Sequence, residues 1–116
     1  MDQFQFKNPK LEFIVETGKF RLLEDYVTPE CTVPKGFVTN GASSGRILQT
    51  LFPSYYTYFP AALVHDYMYA TGIVPKEEAD RLFRYNIEVR LKMSARYYIP
   101  MYYAVRWFGG SHYKQK

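Results

Sequence analysis

One cysteine, Cys31, stands in 116 residues, so no intramolecular disulfide can staple the chain and its stability must come from packing and hydrogen bonds. Such usage fits a reducing compartment. No uninterrupted apolar run approaches the ~20 residues that cross a bilayer. Residues 1–14 also lack the basic start and continuous apolar stretch of a secretory signal. The expectation is a protein with neither signal peptide nor transmembrane segment, soluble or carried by a partner. There is no internal repeat, no low-complexity tract, and no zinc-finger, helix-turn-helix or RNA-recognition signature.

What the chain has in excess is aromatic: 12 Tyr and 9 Phe. These bring large buried area, and each Tyr also needs a partner for its hydroxyl. With 47% hydrophobic and 22% charged residues, the composition is globular, and the length suits a single domain, 1–116. The net charge of +4 is unevenly spread. From Arg81 to Lys116 there are eight Lys and Arg against Glu88 alone, whereas Met1 to Gly45 is close to neutral. The basic half suits anionic lipid or acidic neighbours in an assembly; nucleic acid is not the expected partner, since no recognition motif accompanies the charge.

Along the chain, Leu11, Phe13 and Val15 alternate with polar residues, and Phe20–Leu23 follows a Thr17-Gly18-Lys19 turn. This pattern predicts two strands. A third extended piece is expected from Tyr26 to Val33, irregular because of Pro29 and bounded by Pro34. Residues 33–45 are dense in turn formers, and a short helix is expected over Arg46–Leu51. Pro60 near a start and Gly72 at a stop predict a helix over about 59–71. Pro75 opens a second, with Glu77 and Glu78 in its first turn and apolar residues at helical spacing up to about Met93. Ser94 can cap a last helix through Trp107, stopped by Gly109-Gly110, with Pro100 kinking or restarting it. Strands followed by three to four helices imply an α+β fold, with a small antiparallel sheet and an antiparallel helix pair.

The stretch ALVHDYMY, residues 62–69, places His65 and Asp66 in an apolar helix. Burying an ionisable group costs several kcal/mol unless it is paired. His65 and Tyr69 share a face, while Asp66 points about 100° away. On the next helix Asp80 falls inside the apolar stripe, and the short Gly72-Ile73-Val74 link makes the helices antiparallel neighbours, so Asp80 can come across to His65. A carboxylate there fixes the imidazole tautomer and leaves the other nitrogen as a base. Asp66 would be free to hold a hard cation such as Ca²⁺, with the loop Asn40–Gly45 completing an oxygen shell.

His65-Asp66-x-x-Tyr69 on one helix and Ala79-Asp80-Arg81-Leu82-Phe83 on the next resemble the two-helix core of phospholipase A2-type enzymes. The resemblance implies that His65 activates water, Asp80 orients it, Tyr69 supports Asp80, and Asp66 binds calcium. It covers about 30 residues and lacks the family's flanking cysteines and glycine-rich calcium loop. A broader resemblance runs through VPKGFVTNGAS, FPAALVHDYMYATG, EEADRLF and YYAVRWFGG. In this order they are similar to DUF1353, a phage and prophage family of unknown function. There Asp often stands at the position of Asn40.

Two readings lead, ahead of nucleic-acid binding by the basic segment Arg81–Lys116. One is a phage-encoded hydrolase with catalytic His65, Asp80 and Tyr69, Asp66 as a calcium ligand, and Thr39, Asn40, Gly41 and Ser43 in a loop near the site. Its substrate would be a lipid ester, with a cell-wall bond as the alternative, acted on during infection or lysis, with membrane lipid or other virion proteins as partners. The other is a non-enzymatic virion or assembly protein whose His-Asp network is structural. In the second reading His65 is a core histidine, Asp80 pairs with an arginine such as Arg46 or Arg96, and Thr39, Asn40 and Ser43 serve turns and caps. Either places the protein in the host cytoplasm or the virion.

Overall fold

The computed structural model describes residues 3–39, 57–108 and 113. The expected α+β order is present: strands β1 (Leu11–Ile14), β2 (Lys19–Leu22), β3 (Tyr26–Val27), β4 (Thr32–Val33) and β5 (Val38–Thr39) precede helices α1 (Phe59–Thr71), α2 (Lys76–Tyr85) and α3 (Ala95–Phe108). The expected helix over Arg46–Leu51 and the Gly109-Gly110 stop lie outside the described residues.

β1 and β2 form an antiparallel hairpin in the register Leu11 to Leu22 and Phe13 to Phe20. Gly18, at φ 72°, takes the left-handed turn position that a side chain would strain, and its N–H donates to Ile14 O at 2.8 Å. The alternation that placed Val15 in the strand is corrected: β1 stops at Ile14, and Val15 lies in the turn, 79% exposed. β5 pairs antiparallel with the other edge of β2, giving the order β1-β2-β5.

The single extended piece expected over Tyr26–Val33 is instead a second hairpin, β3 with β4. Pro29 sits in its turn, where its fixed φ is an advantage. The Thr28 hydroxyl ties that turn across its base, donating to Cys31 O at 2.7 Å and accepting from Cys31 N–H at 3.2 Å.

Helix α1 has the bounds its punctuation predicts. Pro60 occupies its first turn, and Gly72, at φ 64°, caps it with a hydrogen bond to Met68 O. It is buried on nearly every side, because it lies between two sets of neighbours. Phe59 and Leu63 pack with Leu22, Tyr26 and Val33 of the sheets. Ala61 and Ala62 pack with Phe83 and Ile87, and with Met101, Ala104 and Val105 of α3. A helix apolar all round belongs in such a central place.

The second helix is regular only to Tyr85; Asn86–Arg90 is π-helical, and Lys92 at φ 56° ends it, so the expectation of one α-helix to Met93 is corrected. The widened turn carries Arg90, whose guanidinium bonds Asn86 Oδ1 at 2.9 Å and pairs with Glu30 of the β3–β4 turn at 2.6 Å. π-turns of this kind absorb one extra residue in a helix. α3 runs through Pro100 without ending there. Among the described residues, no helix is long and apolar enough to cross a membrane.

Candidate functional site

Antiparallel packing of α1 on α2 brings His65 to Asp80. The ring nitrogen Nε2 lies 2.8 Å from Asp80 Oδ1, with His65 1% and Asp80 0% exposed. The Tyr69 hydroxyl, one turn beyond His65, donates to the same oxygen at 2.6 Å. Its ring centroid lies 4.1 Å from that of the imidazole, and Phe83 closes on the imidazole at 4.9 Å.

The second carboxylate oxygen is also occupied. Lys76 Nζ donates to Asp80 Oδ2 at 2.8 Å, and Arg106 Nη1 reaches it at 3.4 Å. Lys76 also donates to the Val105 and Arg106 carbonyls, at 3.3 and 3.1 Å. These belong to the last turn of α3, where carbonyls lack intrahelical partners and a cation is favoured. One carboxylate thus receives donors from all three helices, which fills the roughly four lone-pair sites it offers.

Burial by itself would raise the Asp80 pKa, but the hydrogen bonds from His65, Lys76 and Tyr69 together overcome it and hold the carboxyl at about 2. The Tyr69 hydroxyl is pushed well above its ordinary range, first by burial and then by its bond to Asp80. An ionised Asp80 can only accept, so the imidazole Nε2 must carry the proton between them. In the neutral ring the lone pair then lies on Nδ1. That atom is buried and has no hydrogen-bond partner among the described residues.

Of the site residues expected from sequence, the structure joins His65, Asp80 and Tyr69. Asp66 turns away towards β5, where the Thr39 hydroxyl donates to its Oδ2 at 2.5 Å. Asn40, Gly41 and Ser43 lie outside the described residues. Asp80 does pair with an arginine, but with Arg106 rather than Arg96, which stacks on Tyr97; Arg46 lies outside the described residues. Lys76 is its second cation among the described residues. Lys76 stands four residues before Asp80, a helical ion-pair spacing that could have flagged it; Arg106 carried no such signal.

The described residues do not by themselves fit a calcium ion. They contain no cluster of three His, Cys, Asp or Glu side chains placed to hold a metal, and Asp66 Oδ2 already accepts from Thr39. Calcium prefers six to eight oxygens.

No curated protein and no solved structure matches the chain. A family model, that of a protein of unknown function (DUF1353), matches residues 19–105. This span runs from β2 into α3 and contains His65, Asp66, Tyr69, Lys76 and Asp80. With three-quarters of its length and the whole His-Asp constellation up to Val105 inside that match, the chain belongs to the DUF1353 family.

Proposed function

We propose that the chain is a small phage-encoded hydrolase acting on lipid esters, with His65 as its general base. The observation that carries this reading is a buried histidine whose one nitrogen is held by an ionised aspartate and whose other, Nδ1, has no partner among the described residues. Buried polar atoms without partners are rare and are retained where they have work to do. The arrangement matches the base-and-orienter logic of hydrolytic sites.

In this reading a water bonded to Nδ1 gives that nitrogen a proton as its oxygen adds to the ester carbonyl carbon. The tetrahedral intermediate then collapses, breaking the bond to the leaving alkoxide, and the imidazolium returns the proton to that oxygen. Asp80 keeps the ring oriented and offsets the transient imidazolium charge. Lys76 and Tyr69 help to hold Asp80 ionised, and Arg106 adds a further donor that fixes it. No step is routed through a metal, since the described residues do not build a calcium shell; calcium enters only as a variable of the test.

The test is fatty-acid release from mixed phospholipid vesicles, with and without calcium, by the native protein and by His65→Ala. Release that needs His65 supports the reading; equal release by both proteins overturns it.

A second reading has its own observation in favour. Asp80 is sealed, and every acceptor site on it is filled by donors from three helices, as in a network that specifies packing. Here the protein is a non-enzymatic virion or assembly component. No ester or cell-wall bond would be cleaved, and substitutions at Asp80 would change only stability.

A further inference from the structure

The outer face of α3 carries a ridge that neither the His65 site nor the core uses. Arg96, Ile99, Tyr103 and Trp107 follow one another at spacings of three and four residues, which lines them along one side of a helix. The opposite side, Met101, Ala104 and Val105, is buried in the core. On the ridge Ile99 is 39%, Tyr103 42% and Trp107 71% exposed, and the Tyr103 and Trp107 rings lie 5.1 Å apart. A large aromatic left in water beside another marks an interaction surface.

The surroundings of the ridge state the charge of what meets it. Helix α3 contains no acidic residue. A groove of about 320 Å³ is lined by its Tyr102 together with Arg81, Arg84, Tyr85 and Val89, and the Arg84 guanidinium stacks on the Tyr102 ring at 5.6 Å. The acid in that groove, Glu88, is paired with Arg84. Arg81 and Arg96 are exposed and make no ion pair among the described residues.

We propose that this face seats the protein on an anionic phospholipid membrane, with Trp107, Tyr103 and Ile99 in the headgroup layer and Arg81 and Arg96 against lipid phosphates. Indole and phenol rings, with an apolar body and a polar edge, favour that layer, and flanking cations add attraction to anionic lipid. A second copy of the chain is a poorer occupant, because a two-fold interface on this face would oppose the same cations. A single-stranded nucleic acid would want a basic groove that tracks several nucleotides, and the groove at Arg81 and Arg84, about 320 Å³, is too short for that. The inference concerns binding and does not rest on catalysis at His65.

Trp107 is the one tryptophan of the chain, so its fluorescence reports on this ridge alone. Titration with phosphatidylglycerol-containing vesicles should shift its emission to the blue, and pure phosphatidylcholine vesicles should do so far less. Arg81→Glu and Arg96→Glu should each weaken vesicle partitioning about fivefold or more. Added salt should weaken it further, and Trp107→Ala should reduce co-sedimentation. These residues are exposed, so thermal melting should stay unchanged. His65→Ala should bind as the native protein does, which separates this proposal from the hydrolytic one. Emission that ignores anionic vesicles overturns the proposal, as does a shift that ignores both arginines. Emission that follows protein concentration alone, or tighter binding to DNA than to vesicles, assigns the face to another occupant and overturns it as well.

Discussion

Lys76 and Asp80 meet at 2.8 Å one helical turn apart, and the same ammonium bonds two carbonyls at the end of α3. This lysine therefore joins the His65 site to the α2–α3 packing. A change at the carboxylate should be felt in the stability of all three helices.

Asp80→Asn keeps the shape of the side chain and an oxygen for His65 and Tyr69. It turns an amide donor towards Lys76 and Arg106, leaving two cations without a counter-charge. Removing one partner of a buried pair is strongly destabilising. With both cations partly solvated, a loss of about 3 kcal/mol is expected in urea denaturation. Lys76→Met combined with Asp80→Asn should recover part of it, and strict additivity in that double-mutant cycle would show that the two residues do not act together.

Acid stability follows from the same carboxyl. Its folded pKa of about 2 lies below the ordinary carboxylate value, so the unfolded chain binds the proton first as pH falls. The stabilisation is fully present above about pH 4 and is lost between about pH 4 and pH 2. It amounts to about 2 kcal/mol. Denaturation curves across that window should fall less steeply for Asp80→Asn than for the native protein. Parallel slopes would show that another group controls acid unfolding.

Tyr69→Phe removes one hydroxyl from the site and leaves the ring against His65. The 2.6 Å bond to Asp80 is lost, which should cost about 1 to 1.5 kcal/mol. In the hydrolase reading, ester release should drop less than with His65→Ala, because His65 still has Asp80 to orient it. A loss as large as that of His65→Ala would give the hydroxyl a direct part in the chemistry.

Gly72→Ala tests the punctuation of α1. At φ 64° an alanine is strained in the left-handed region, and the expected loss is about 1 kcal/mol. Thermal melting should register it with no change in vesicle binding, since Gly72 has no side chain and is not part of the α3 ridge. An unchanged melting temperature would mean that the cap bond from Gly72 N–H to Met68 O contributes little.

Much of the site was legible because its signals are local. Pro60 and Gly72 bound α1, helical periodicity placed His65 and Tyr69 on one face, and an apolar stripe that included Asp80 pointed that carboxylate inward. The short link after Gly72 then left little choice about which helix α2 would meet. What the sequence by itself determined were the features written within one or two turns of chain: caps, periods and tight turns. Tertiary packing decided the rest. Arg106 reaches Asp80 across 26 positions, and Thr39 binds Asp66 across 27. The Tyr26–Val33 segment folded back on itself where its extended character alone suggested one strand. No periodicity encodes such meetings, because they depend on which faces of separate elements bury together and on where their few polar side chains then find partners.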